Sequence, residues 1–88
     1  MSIAINEVDE MTLDKASRGD KIEIIHIANA NIRAQAIRLG ISEGSRLLCS
    51  EKLPAGPIIL QNKMQEIAIG RKLAQQITIV TMDGSREL

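Results

Sequence analysis

The sequence contains no phenylalanine, tyrosine or tryptophan, and this absence limits both its core and its partners. The interior must be built from Ile, Leu, Val, Ala and Met side chains. Stacking of bases on aromatic rings, which proteins that bind single-stranded nucleic acid use, is excluded. Basic and acidic residues balance at 11 each, so the chain also lacks the concentrated positive charge of a nucleic-acid-binding domain. We therefore expect no nucleic-acid partner.

Cysteine is nearly absent as well, since Cys49 is the only one in the sequence. A single cysteine cannot form an intramolecular disulfide, which is typical of proteins from a reducing compartment. The acidic N-terminus lacks the apolar segment of a secretory signal. No apolar run approaches the roughly 18 residues that a membrane-spanning helix needs. These absences predict a cytoplasmic protein that does not insert into a membrane.

What the sequence does contain is a series of short segments rich in Ile, Leu and Val. Its 88 residues are enough for one small domain with a thin core. Apolar residues that alternate or cluster predict five strands, at residues 21–28, 45–52, 58–60, 66–69 and 77–80. Good helix formers at residues 71–76 predict a short helical turn before the last strand.

One helix is predicted between the first two strands, from apolar residues that share a helical face: Ile32, Ala36 and Leu39. Asn29 or Asn31 can cap its start, because either side chain can accept a hydrogen bond from a free backbone N–H. Gly40 is predicted to end the helix in the left-handed conformation that glycine adopts without a side-chain penalty. Gly44 then closes a tight turn into the second strand.

The first strand changes face partway along its length. One face carries Ile22 and Ile24, and the other carries Ile25 and Ile27. This phase shift predicts a bulge or a strong bend, as in small barrels.

Prolines and glycines divide the remaining segments. A loop is predicted between the second and third strands, with Gly56 and Pro57 as its turn residues, because proline lacks an N–H and glycine permits unusual backbone dihedrals. A hairpin connection is predicted at residues 62–65. The pattern as a whole predicts a mainly β fold, a small and strongly bent five-stranded barrel with one short helix.

Enzyme motifs are missing from the sequence, which has no Walker loop, dinucleotide fingerprint or paired metal-ligand spacing. We therefore expect no catalytic residues, no required cofactor and no enzymatic activity. His26 and Cys49 are the candidate metal donors, and Cys49 shares a predicted strand face with Glu51. A metal site needs more ligands than these residues supply. The alternative is an exposed strand position for His26 and a small apolar core residue in Cys49.

Three arginines lie in or beside the predicted helix, at Arg33, Arg38 and Arg46. Arg33 and Arg38 are five residues apart and therefore diverge on the helix surface. One interpretation is that these side chains are solvated and their stems lie on the barrel. The other is that they form a docking face for a partner protein, because arginine is enriched at interfaces.

Several segments, taken in order, resemble the FeoA domain of ferrous iron transport protein A. They are residues 39–44 (LGISEG), 56–57 (GP), 58–60 (IIL), 67–69 (IAI) and 73–80 (LAQQITIV). The opening at residues 11–13 and 19–20 is also similar to the start of that family. The resemblance covers residues 11–81, which leaves residues 1–10 as an N-terminal extension and residues 82–88 as a C-terminal tail. It implies an SH3-like barrel, in agreement with the strand pattern.

The resemblance also implies a function. Members of this family are small cytoplasmic accessory proteins of FeoB, a membrane ferrous iron transporter with its own GTP-binding domain. The family has no common catalytic or metal-ligand motif, so no such residue is transferred to this chain. The alternative function is a carrier that binds iron or zinc directly, or a metal-sensing domain like the C-terminal domain of iron- and manganese-dependent repressors. The oligomeric state stays open, and a homo-oligomer is among the alternatives.

Overall fold

Six strands and two short helices follow one another along residues 10–82, the part of the chain that the computed structural model describes. The strands are β1 (Glu10–Thr12), β2 (Lys21–Ile27), β3 (Arg46–Lys52), β4 (Ile58–Asn62), β5 (Gln65–Ile69) and β6 (Ile77–Thr81). The helices are α1 (Ala30–Arg38) and α2 (Arg71–Ala74), and a 3-10 turn covers Leu13–Lys15. Within residues 10–82, no helix combines the length and the apolarity needed to cross a membrane. The predicted N-terminal extension and C-terminal tail lie outside the described residues, except for Glu10 and Met82.

The strands form one antiparallel sheet in the order β1-β6-β2-β3-β4-β5. This confirms the mainly β, SH3-like class, and all five predicted strands are present. Two details of the prediction are corrected. Strand β1 is a sixth strand, which forms because residues 10–12 pair with residues 78–80 of β6. Among the described strands, β1 and β5 lie at opposite ends of the order without pairing, so the sheet is open rather than a closed barrel.

The core is aliphatic and consists mainly of isoleucine. Strand β2 buries Ile22, Ile24 and Ile27, and its register against β6 shifts between Ile24 and His26. This irregularity is the predicted bulge, and it brings Ile27 back to the inner face. The largest fully buried side chains are Leu13, Ile22, Ile24, Ile27, Ile41, Cys49, Ile58, Leu60, Ile69, Ile77 and Ile79.

Helix α1 begins at an asparagine cap. Asn29 Oδ1 accepts a hydrogen bond from the Ile32 N–H at 3.0 Å, which satisfies one of the free donors in the first turn. Ala36 is fully buried and Ile32 packs against the core, so these residues face the sheet. Leu39 was predicted on the same face, but it follows the last helical residue and remains 39% exposed.

The end of α1 is set by Gly40, whose φ is +93°. The Gly40 N–H donates to the Ile37 carbonyl at 2.9 Å, and the Ile41 N–H donates to the Ala36 carbonyl at 3.0 Å. This pair of bonds is a Schellman motif, which satisfies carbonyls at the helix end. Because Ile41 is buried beside the helix that it follows, the motif directs the chain back into the core.

The predicted loop between β3 and β4 is present, at residues 53–57. Its left-handed residue is Ala55, with φ of +54°, and Gly56 is not in that region. Gly56 instead has little room for a side chain, because a Cβ at this position would lie 3.2 Å from the Leu53 Cβ. Pro57 closes the loop, where its carbonyl accepts a hydrogen bond from the Leu53 N–H at 3.2 Å.

Candidate functional site

A carboxylate in the connection between α1 and β3 joins three parts of the fold. Glu43 Oε2 accepts a hydrogen bond from the Ile27 N–H at 3.0 Å, at the end of β2. The same oxygen lies 3.7 Å from His26 Nδ1 and 3.9 Å from Arg33 Nε. Arg33 Nη2 donates to the Ile27 carbonyl at 3.3 Å. Glu43 and Arg33 therefore satisfy the backbone of β2 where it extends past its pairing with β3.

The three candidate arginines do not form one patch. Arg33 contacts Glu43, and Arg46 Nε lies 3.5 Å from Glu23 Oε1 on the neighbouring strand. Arg38 is exposed at the last residue of α1, and no carboxylate within residues 10–82 pairs with it. Of the three arginines, Arg38 is thus the one that forms no ion pair in the described part of the chain.

The candidate metal donors, His26 and Cys49, are on neighbouring strands but are not brought together. The Cys49 N–H donates to the Asp20 carbonyl at 2.8 Å, so Cys49 lies beside the start of β2. His26 lies six residues further along, which at about 3.3 Å per residue corresponds to ~20 Å. The side chains also differ in exposure, since Cys49 is buried and the His26 side chain is 64% exposed.

The surroundings of Cys49 make it a core residue. Its Sγ lies 3.7 Å from the Glu51 carbonyl oxygen, and the register against β4 shifts between the two residues. Cys49 is consequently buried and Glu51 exposed, rather than both on one face as predicted. Burial raises the pKa of the Cys49 thiol, and the negative charge of Asp20 raises it further. Burial at this position therefore favours the neutral thiol over the thiolate that binds a metal ion.

The described residues also contain no larger donor cluster. Within residues 10–82, no group of three or more His, Cys, Asp and Glu side chains is arranged to hold a metal ion. His26 and Glu43 are close to each other, but the guanidinium of Arg33 lies against the same carboxylate. A cation in this position would be opposed by that positive charge.

An open groove of about 490 Å³ lies between α1 and α2. It is lined by Ile32, Gln35, Gly70, Lys72, Leu73 and Gln76. Ile32 and Leu73 are half-buried and pack against the core, so they form an apolar floor. Gln35 and Gln76 are exposed and supply amide groups, and Lys72 supplies a positive charge. We name this surface the α1–α2 groove.

Sequence reasoning did not find the α1–α2 groove or the role of Arg71. The helices that line the groove are distant in sequence, and only the fold brings Ile32 and Leu73 to the same surface. Arg71 donates from Nε to the Gly56 carbonyl and from Nη2 to the Leu53 carbonyl, both at 2.7 Å. The apolar residues in the two helical segments were a usable signal for the groove, but nothing local to Arg71 pointed to these carbonyls.

The family model described as FeoA domain matches residues 11–81. The match covers most of the 88 residues, and the chain belongs to the FeoA domain family. No curated protein matches the chain.

Two solved structures are similar to this one. The first is described as an iron uptake regulatory protein (FeoA); it shares 27% identity, the match covers 84% of this chain and 100% of that one, and the TM-score is 0.77. The second is a manganese-dependent transcriptional repressor with 24% identity, coverage of 88% of this chain and a TM-score of 0.75. The match spans 44% of the repressor's length, and at this identity the likeness shows the fold alone.

Proposed function

We propose that this chain is a non-enzymatic accessory protein of ferrous iron uptake, and that it acts in the cytoplasm by binding a FeoB-type membrane transporter. Membership of the FeoA domain family over residues 11–81 supports the link to ferrous iron transport. The observation that carries the binding role is the α1–α2 groove, an exposed surface with an apolar floor on a chain of that family.

The composition of the α1–α2 groove favours a protein ligand. Its apolar floor of Ile32 and Leu73 can accept a side chain from a partner, and burial of that side chain supplies the affinity. The amides of Gln35 and Gln76 can each donate and accept hydrogen bonds at the rim. An apolar centre with a polar rim is the usual anatomy of a protein interface.

The burial and the separation of the two reactive side chains, Cys49 and His26, support action by binding rather than catalysis. Cys49 is buried, its pKa is raised, and it lies at the opposite end of the sheet's β2–β3 pair from His26. Cys49 and His26 are therefore not placed to act together as nucleophile and base. The proposal requires no cofactor.

The test is recovery of the transporter from membranes of iron-limited cells after crosslinking to the tagged chain. Gln76→Arg places a long charged side chain in the α1–α2 groove, and we expect it to reduce recovery strongly. Gln75→Arg is the matched control, because Gln75 is the exposed neighbour that does not line the groove. Equal recovery with both variants would remove the groove from the proposal. Failure of the wild type to recover the transporter would reject the proposal itself.

Titration with ferrous iron or zinc separates this function from the direct metal carrier. We expect binding that is not stoichiometric and that Cys49→Ser leaves unchanged. Stoichiometric binding that Cys49→Ser abolishes would favour the carrier, and the circular dichroism spectrum of the variant would verify that its fold is retained.

A further inference from the structure

Among the strands of residues 10–82, β5 forms one edge of the sheet and has a neighbouring strand on one side only. A two-residue loop joins β4 to β5, with Asn62 opposite Gln65. Residues next to such a loop bond to each other, and the bonding then alternates along the strand. The backbone N–H and C=O groups of Glu66 and Ala68 therefore point away from β4. Both residues are exposed, and no backbone group within residues 10–82 bonds to these outward groups.

This edge has few of the features that normally protect a free strand. Proteins block exposed edges with charged side chains, above all lysine, and with proline, bulges or very short strands, and the only charged residue of β5 is Glu66. Between Gln65 and Ile69 there is no lysine or proline, and the pairing with β4 continues without a register shift. The backbone of β5 therefore offers free hydrogen-bonding groups to an added strand.

Apolar surface lies next to the same edge. A Cβ on Gly40 would lie 3.9 Å from Ile67 Cδ1, so the end of α1 is beside β5. Leu39 immediately precedes Gly40 and is 39% exposed, and Ile37 on the last turn of α1 is 59% exposed. A strand added at β5 would approach this apolar surface, and its burial would add to the backbone hydrogen bonds.

We propose that this edge is a self-association surface, at which the β5 strands of two copies pair antiparallel about a twofold axis at Ile67. In this register, Glu66 of one copy lies opposite Ala68 of the other. Each such pair exchanges N–H···O=C bonds in both directions, and symmetry provides the pair twice. All outward-pointing groups of Glu66 and Ala68 are then satisfied.

Charge selects this register among the symmetric alternatives. An axis at Ile67 places the Glu66 carboxylate opposite the small neutral side chain of Ala68. An axis at Glu66 would place two carboxylates directly opposite each other, which is destabilising. An axis at Ala68 would shorten the paired segment, because the strand ends at Ile69. The strand is thus self-complementary, which favours a second copy of this chain as the occupant.

The pairing would stop at a dimer. An isologous contact uses the same surface on both copies, so it leaves no free β5 edge for further growth. The same geometry predicts that the α1–α2 groove, which contains no β5 residue, remains available in the dimer.

Sedimentation velocity of the full chain over a wide range of concentrations tests the proposal. We expect a monomer–dimer equilibrium for the wild type. In Ala68→Glu, the new carboxylate of each copy lies opposite Glu66 of the other, so the dimer contains two repulsive pairs. This should weaken dimerisation by about tenfold. Ala68→Lys is the matched variant, because the same register now pairs Lys with Glu66 and should strengthen the dimer. Thermal melts of both variants monitor the fold of the monomer.

Two further variants test the proposed register. Ala68→Pro removes an outward N–H at an edge position that tolerates proline, and it should give a monomer. The double variant Glu66→Lys/Ala68→Glu restores opposite charges across the axis and should recover the dimer that Ala68→Glu loses. A wild type that is monomeric at every concentration overturns the proposal. So does a dimer in which Ala68→Glu and Ala68→Lys behave alike, or assembly beyond the dimer. These results do not depend on recovery of the transporter.

Discussion

Strand β3 is flanked by two connections that are shaped by different means. The connection leading into it, residues 39–45, turns at glycines, since Gly40 has φ of +93° and Gly44 has φ of +95°. The connection leading out of it, residues 53–57, also contains a glycine, but there the left-handed residue is Ala55. Gly56 serves to avoid contact with Leu53. The same residue type thus acts through backbone conformation in one connection and through small size in the other.

The two connections also differ in the hydrogen bonds that hold them. In the first, the Gly44 N–H donates to the Ile24 carbonyl at 2.6 Å, and the Ser45 N–H donates to the Ser42 carbonyl at 3.0 Å. In the second, the carbonyls of residues 53 and 56 accept bonds from the guanidinium of Arg71. The first connection is therefore held by backbone bonds within it and to β2. The second has two backbone bonds within residues 53–57 and is also held by a side chain 15 residues away. Substitutions in each connection should show this difference.

The largest effect is expected for Gly40→Val. A β-branched side chain in the left-handed region clashes with its own backbone, and we expect a loss of about 3 kcal/mol in the free energy of unfolding. Space is not the cause, because the nearest atom to a Cβ is Ile67 Cδ1 at 3.9 Å. Gly40→Asn is the control, since asparagine tolerates this conformation and should lose much less. Urea denaturation measures both, and equal losses would show that backbone conformation does not determine this connection.

The next largest effect is expected for Arg71→Met, which keeps the side-chain stem and removes the guanidinium. Two short charge-assisted bonds to carbonyls are lost, and because one of them is exposed we expect a loss of about 2 kcal/mol. Arg71→Lys should recover part of it, since an ammonium cannot match both carbonyls as a planar guanidinium does. Lys72→Met is the control, because Lys72 is the exposed neighbour. A loss that is the same in Arg71→Met and Lys72→Met would contradict the role of Arg71.

A smaller effect is expected for Glu43→Ala. The first connection also uses side chains, among them the Glu43 carboxylate that accepts the Ile27 N–H. Because the glycines hold most of this connection, we expect a loss of about 1 kcal/mol. Glu43→Gln keeps an acceptor of the same size and should lose about half as much. Amide hydrogen exchange at Ile27 should accelerate in Glu43→Ala and not in Glu51→Ala. Unchanged exchange at Ile27 would mean that the bond adds no protection.

The first connection is shaped by neighbouring residues and the second by the distant Arg71 as well. The same distinction between local and distant contacts explains which parts of the fold could be predicted from the sequence. The five main strands, the Asn29 cap and the Gly40 stop follow from patterns within a few residues, and so does the bulge near Ile25. Strand β1 was not predicted, because residues 10–12 have no strand pattern and pair only where β6 presents an edge. The barrel was expected to close, but closure depends on long-range geometry that strand patterns do not contain.

The candidate site was less predictable than the fold, for the same reason. His26 and Cys49 lie on adjacent strands, yet the register of β2 and β3 sets the distance between them. The α1–α2 groove requires two helices that are separated by more than thirty residues in the sequence. The turn at Gly56 follows from the local sequence, but no residue pattern indicated that Ala55 is the left-handed residue of this connection.

The smallest effects are expected for Ala55→Gly and Gly56→Ala. These two substitutions separate the conformational use of glycine from its use as a small residue. Ala55→Gly relieves a left-handed alanine by about 1–2 kcal/mol, while the added freedom of the unfolded chain costs about 0.5–1 kcal/mol. The net result is a gain of about 0.5 kcal/mol. Gly56→Ala should instead destabilise by a similar amount, because its Cβ would lie 3.2 Å from the Leu53 Cβ and must displace a side chain that is 43% exposed.

The two substitutions in residues 53–57 thus have opposite signs, which chemical denaturation of both variants under the same conditions can resolve. Leu53→Ala in the Gly56→Ala background provides the control. It keeps the Leu53 Cβ but removes the rest of the side chain, so the backbone can shift more easily, and the loss should shrink. If Gly56→Ala is neutral, small size does not explain the glycine at this position. If Ala55→Gly destabilises, the left-handed conformation of Ala55 carries no strain. Either result would remove part of the difference between the two connections.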